Sequence, residues 1–268
     1  MPEPSGAAGL SVMITDWYFY AAALPAVFLM GLSKGGFAGL AVISTPLVAL
    51  VISPVKAAAI MLPILIAQDI VSVWAYRRDW SPRNLSIMLP GCLIGIAVGY
   101  FLAARVTDSH VRLMVGVIAI VFVLAHFVKI LRKTEIPARA ADVPRGIFWG
   151  GVAGFTSFIA HAGGVPFQVY VMPQKLPPPA YVGTNSIFFA INNLMKVPPY
   201  ILLGQFSSEN LATSAALLPV AIAATFAGVW LVRHVPADRF FKIIYALTFI
   251  VGLTLLWDGA GGLLSAGQ

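Results

Sequence analysis

Charge is scarce in this sequence: only 10% of its 268 residues are Asp, Glu, Lys or Arg, against 59% hydrophobic residues. A soluble domain carries roughly 25% charged residues. So little charge over so much apolar surface excludes a water-solvated fold and makes lipid the solvent. Cysteine is almost absent. The single Cys92 lies within an apolar run, which excludes disulfides, iron–sulfur clusters and cysteine-based zinc sites. Histidine is also sparse: His110, His126, His161 and His234 are not spaced as paired metal or haem ligands on one helix. His-Glu-x-x-His, Gly-x-Ser-x-Gly, a P-loop and a pair of intramembrane aspartates are all missing, so no enzyme chemistry is indicated. No segment is long enough for a soluble ATPase domain, and no cofactor is expected. Residues 1–16 have no basic region ahead of an apolar run, so a cleaved leader is not expected.

What remains is apolar sequence in blocks of about 17–32, 36–52, 56–76, 83–104, 111–131, 146–160, 164–172, 180–203, 210–232 and 237–257. Six of these are about 20 residues or longer, enough to cross a ~30 Å hydrocarbon core as helices. The shorter ones form two pairs, 17–52 and 146–172, each interrupted by a polar, glycine-containing joint. Ser81-Pro82 and Pro236 read as helix starts, and Asp108 and Ser208 as caps. The fold class is therefore all-α: a polytopic membrane protein.

The chain reads as two halves. A tail (1–16) precedes repeat 1 (17–131); a polar linker (132–145) leads to repeat 2 (146–257) and a C-terminal tail (258–268). Each half runs short pair, long, long, long. Ser33-Lys34-Gly35-Gly36-Phe37 stands opposite Ala160-His161-Ala162-Gly163-Gly164-Val165, with the glycine pairs 128 residues apart. Asp79-Trp80-Ser81-Pro82-Arg83-Asn84-Leu85 similarly matches Gln205-Phe206-Ser207-Ser208-Glu209-Asn210-Leu211, at an offset of 126. If each short pair enters and leaves on one side, every half makes an odd number of crossings and the repeats are inverted. Twelve cations then fall on one side: Arg77, Arg78, Arg83, Lys129, Arg132, Lys133, Arg139, Arg145, Lys175, Arg233, Arg239 and Lys242. Three, Lys56, Arg105 and Arg112, fall on the other, and Lys34 and Lys196 stay within the membrane. The cation-rich side is expected to be cytoplasmic.

The joints are the candidate site. Non-helical backbone survives at membrane depth only where it is buried in protein or lines a polar cavity. Gly35-Gly36 and Gly163-Gly164 would let the chain turn, and the half-helix after each would aim its N-terminus, with free N–H groups, at an anion. Lys34 and His161 stand at matching places in the two joints. A lysine deep in a bilayer is a functional candidate unless it snorkels to an interface, and a buried histidine either meets an anion or proton or is a neutral core group. Asn185, Asn192 and Lys196 fall on one face of a helix over 180–203, with Thr184 and Asn193 beside it. Gln168, Ser157 and Ser33 lie near the joints. Asp69, next to Gln68 in the first half, would pair with Lys196, bind a coupling cation or proton, or make a structural ion pair. The spaced glycines Gly91-Gly95-Gly99 and Gly146-Gly150-Gly154 read as helix-packing positions.

Phe158-Ile159-Ala160-His161-Ala162-Gly163-Gly164-Val165-Pro166-Phe167-Gln168-Val169-Tyr170, followed by Pro173-Gln174, resembles the TauE/SafE family of sulfite and organosulfonate exporters. So do Val182-Gly183-Thr184-Asn185, Ile191-Asn192-Asn193-Leu194-Met195-Lys196-Val197-Pro198-Pro199-Tyr200 and Gly204-Gln205-Phe206. The first half contributes Gly31-Leu32-Ser33-Lys34-Gly35-Gly36 and Pro46-Leu47, and the similarity spans about 17 to 257. The resemblance implies a transporter moving sulfite, a sulfonate such as sulfoacetate, or a related small anion, usually outward, across a bacterial inner membrane. The expected partners are that anion, the lipid bilayer and a second copy of the chain as a homodimer; nucleic acid is not among them. Nothing in the residues themselves separates sulfur oxyanions from other small anions, and a passive anion channel stands as the alternative.

Overall fold

The computed structural model describes residues 13–37, 44, 47–48, 51–52, 54–102, 105–132, 137–202 and 206–266. Most of segment 36–52, residues 1–12 of the N-terminal tail, Lys133, Gly204 and Gln205 lie outside the described residues. Among the described residues every regular element is helical: α1 (Trp17–Gly35), α2 (Pro54–Ala75), α3 (Pro82–Leu102), α4 (Asp108–Leu131), α5 (Val143–Ala160), α6 (Gly164–Val171), α7 (Pro178–Leu202), α8 (Ser208–His234) and α9 (Ala237–Ala266). A 3-10 turn, Met172–Gln174, extends α6. Among the described residues, four helices are long and apolar enough to span a bilayer: α3, α4, α8 and α9. The chain is an integral membrane protein.

The helix limits follow the apolar blocks closely, with informative departures. The caps sit one residue earlier than Asp108 and Ser208: Thr107 precedes α4, and Ser207 caps α8 by accepting from the Asn210 N–H at 3.2 Å. Helix α9 continues to Ala266, through most of the residues assigned to the C-terminal tail. Helix α7 is 25 residues long, but polar side chains along one face, Asn185, Asn192, Asn193 and Lys196, interrupt its apolar surface.

Packing between the two halves is reciprocal. Helix α1 of the first half packs on α8 of the second, and α5 of the second half packs on α3 of the first. Helix α4 pairs with α9, and α2 with α7. Small residues allow two of these contacts. A Cβ on Gly91 or Gly95 would overlap the carbonyl oxygens of Ile147 or Gly151, and one on Gly150 or Gly154 would overlap those of Met88 or Cys92. The two glycine runs therefore face each other across the α3–α5 crossing. In the α1–α8 crossing, Gly31 lies on Ala224 and Gly35 on Gly228. Without a hydrophobic driving force between helices in lipid, close backbone approach of this kind gives the dispersion contacts that hold them together.

Polar contacts gather the loops at two ends. At one end Arg233 donates to the Ala75 carbonyl, Arg83 to Ala141, Asn84 to Gln174, and the Arg139 N–H to Pro173. At the other end Lys56 pairs with Glu209 at 3.0 Å, and the Ile14 N–H donates to Thr213. The cation-rich loops containing Arg77, Arg83, Arg139, Lys175 and Arg233 thus share one rim.

Candidate functional site

Helix α1 runs through the first joint and stops one residue beyond Lys34. Gly36 takes φ +148°, and its N–H together with that of Phe37 closes back on Leu32 and Ser33. A Cβ there would also strike Val232, so the residue is glycine for both conformation and space. Gly35, expected to contact the anion, has a packing role in this structure. It sits in the α1–α8 crossing, and its carbonyl accepts from the Tyr76 hydroxyl at 2.7 Å.

Lys34, in the last turn of α1, is buried, at 7% exposure. Its ammonium donates to Asp69 of α2 at 2.5 Å, and the other carboxylate oxygen accepts from Asn193 of α7 at 2.6 Å. Asp69 is therefore the partner of Lys34; the contact with Lys196 weighed from the sequence does not form. Ser72, one turn beyond Asp69, donates to the Lys34 carbonyl at 3.0 Å. Gln68 reaches the carbonyls of Val27 and Ala221, both at 3.4 Å. The first joint is closed by a paired charge.

The second joint differs. His161 takes the left-handed conformation (φ 51°, ψ 26°) that ends α5, and the Ala162 N–H bonds back to Thr156. The histidine, not a glycine, makes the turn. Gly163 is right-handed, and a Cβ on it would press on the Ala153 carbonyl, Ser157 and Phe189. On Gly164, the first residue of α6, a Cβ would meet nothing within 4 Å. The first turn of α6 thus leaves open space beside Gly164 among the described residues, and the N–H groups of Gly164 and Val165 have no acceptor within their own helix.

Lys196 of α7 lies beside that opening. It is 1% exposed, and its ammonium donates to the Ser157 hydroxyl at 3.2 Å and the Ser157 carbonyl at 3.4 Å. His161 Nδ1 is 3.4 Å away, and His161 Nε2 is 3.2 Å from the Tyr200 hydroxyl. With Lys196 charged, Nδ1 would accept and the ring proton would sit on Nε2, facing Tyr200. No carboxylate pairs with Lys196 among the described residues. Asn192 completes the group, donating to Ser157 Oγ at 2.6 Å and accepting from Cys92 Sγ at 3.4 Å.

The two clusters are neighbours. Phe189 lies 5.7 Å from the Lys34 ammonium and also flanks Gly163, while Ser157 lies between Gly163 and Lys196. Adjacent residues of α7 reach into both: Asn193 to Asp69 and Asn192 to Ser157. Two predicted positions stand apart. Gln168 accepts from Thr248 of α9 at 2.6 Å, and Asn185 is buried with its side-chain oxygen unpartnered among the described residues, one residue beyond Thr184, which accepts from the Ser81 N–H at the cation-rich rim. Tyr200, Cys92, Ser72 and Tyr76 were not among the candidates. Three of them had a signal: Ser72 and Tyr76 follow Asp69 at i+3 and i+7, and Tyr200 follows Lys196 at i+4, all on the faces already in use.

No curated protein and no solved structure matches the chain. A family model described as sulfite exporter TauE/SafE matches residues 23–255, from α1 to α9. That span takes in both joints, the glycine crossings and the Lys34 and Lys196 clusters, and it places the chain in the sulfite exporter TauE/SafE family of membrane transporters.

Proposed function

We propose that this protein is a secondary transporter that exports a small sulfur-containing anion, sulfite or an organosulfonate such as sulfoacetate, across a bacterial inner membrane. The observation that carries the reading is Lys196: a fully buried ammonium with no carboxylate partner among the described residues, beside a helix N-terminus that opens onto space. A cation at membrane depth is tolerated where an anion visits it. The anion would sit before Gly163-Gly164, taking the Gly164 and Val165 N–H groups, the positive end of α6 and the Lys196 ammonium together. Asn192 and Ser157 hold that ammonium in place, and His161 stands against it as the group that would exchange a proton. Lys34, already neutralised by Asp69, adds charge only if the pair separates, which makes Asp69 the candidate for coupling. Gln168, bound to Thr248, and Asn185, about three turns from Lys196 on α7, would line the route rather than the site.

Alternating access around this site needs two bodies that rock against each other, and two inverted repeats, 17–131 and 146–257 joined by a cytoplasmic linker at 132–145, would provide them. The reciprocal packing of α1 on α8 and α5 on α3 supports that symmetry.

The test is flux of labelled sulfite and sulfoacetate in proteoliposomes, with and without an imposed proton gradient. Saturable, gradient-dependent flux is expected, with Lys196→Gln reducing it roughly 10- to 100-fold, the range for one charge-assisted hydrogen bond. Flux that rises linearly with concentration would indicate a channel. Full activity of Lys196→Gln would remove the assigned site.

A further inference from the structure

A second basic site lies at the cation-rich rim, at the far end of α6 from the Lys196 cluster. A cavity of about 690 Å³ opens between the last turns of α4, the linker, the 3-10 turn after α6 and the first turns of α9. Its size suits a molecule far larger than one oxyanion. Four cations line it, Lys129, Arg139, Lys175 and Lys242, against one carboxylate, Asp238. Lys129, Arg139 and Lys242 are exposed and enter no ion pair among the described residues. The floor is aromatic: Phe122 and His126 both stack on Tyr245, the histidine at 3.8 Å and 9°. From the mouth, the outer face of α4 continues inward as exposed apolar side chains at helical spacing, Val128, Leu124, Val121 and Val117, toward the hydrocarbon.

Charge at the mouth, an apolar floor and an apolar path into the bilayer together describe an anionic amphiphile. We propose that this cavity binds the phosphate headgroup of an acidic phospholipid, with its acyl chains lying along α4. Basic pockets between helix ends at a cation-rich membrane face take such headgroups. The arginine contributes a planar fork for phosphate oxygens, and the lysines add point charge. Met172 lines the cavity at the end of α6, whose eight residues span about 12 Å. A bound lipid would therefore brace the short helix whose other end opens beside Lys196. The inference rests on membrane embedding alone and stands whichever anion the Lys196 site carries.

The experiment is native mass spectrometry of the full chain, delipidated in detergent and offered phosphatidylglycerol or phosphatidylcholine with the same acyl chains. Phosphatidylglycerol should be retained under activation that strips phosphatidylcholine. Neutralising Lys129, Arg139 and Lys242 to Gln should weaken its binding about tenfold or more, as expected from losing three near-surface cations. Equal retention of the two lipids, or an unchanged preference in the triple variant, would overturn the proposal. Salt provides a reading without mutation: raising ionic strength should weaken phosphatidylglycerol binding to the wild type and leave phosphatidylcholine unaffected. Complete displacement of phosphatidylglycerol by millimolar inorganic phosphate would assign the cavity to free anions and also overturn the lipid reading.

Discussion

Lys34 and Lys196 are both lysines buried at membrane depth, yet their surroundings give them different work. Lys34 is bonded to Asp69, which is bonded to Asn193; removing either ion leaves the other uncompensated in an apolar interior. Breaking such a pair costs about 3–5 kcal/mol, while removing both partners together costs much less. Thermal unfolding in detergent should therefore show Lys34→Met and Asp69→Asn each strongly destabilised, and the double substitution recovering much of the loss. Additive losses would mean that the two side chains act independently. Lys196, held by neutral partners, should lower transport on substitution far more than it lowers stability, read by comparing flux with unfolding temperature in the same preparations. The sequence marks both lysines, because a charge in an apolar run is conspicuous wherever it falls. It does not mark the partner: Asp69 lies 35 residues from Lys34 and 127 from Lys196, and only the way α2 packs between α1 and α7 decides between them.

Among the helices, the glycines sort into two kinds that look identical as letters. Gly91, Gly95, Gly150 and Gly154 press against facing carbonyls, whereas Gly164 faces open space. Gly95→Leu should prevent the α3–α5 approach and abolish a folded, monodisperse species in size-exclusion chromatography. Gly164→Ala should leave folding intact, since Ala in a helix is favoured over Gly by about 1 kcal/mol, yet reduce flux by placing a methyl group where the anion would sit. Flux unchanged by that methyl would move the anion away from the α6 N-terminus. The four-residue spacing was enough to identify the packing glycines. The glycine pairs suggest hinges at both joints, and only Gly36 serves as one; at the second joint His161 turns the chain, a left-handed conformation that histidine adopts more than most residues but less readily than the neighbouring glycines.

For the molecule as a whole, the described helices agree with the apolar blocks because a ~30 Å hydrocarbon core sets both their length and their lack of charge. Sidedness can be measured directly. Cys92 is buried, so single cysteines introduced elsewhere report cleanly. A cysteine at Arg78 or Arg139 should react with a membrane-impermeant thiol reagent only from the cytoplasm, and one at Lys56 or Arg112 only from outside; mixed labelling would refute the inverted arrangement, and the reverse pattern would refute its orientation. The crossing of α1 with α8 adds a requirement in time. About 170 residues separate the end of α1 from the start of α8, so synthesis at about 5–20 residues per second leaves the small-residue face of α1 without its partner for roughly 9 to 35 s. For most of that interval α2 is already made and Asp69 can neutralise Lys34, so the ion pair is available to hold the nascent first helix in the bilayer until its permanent neighbour arrives.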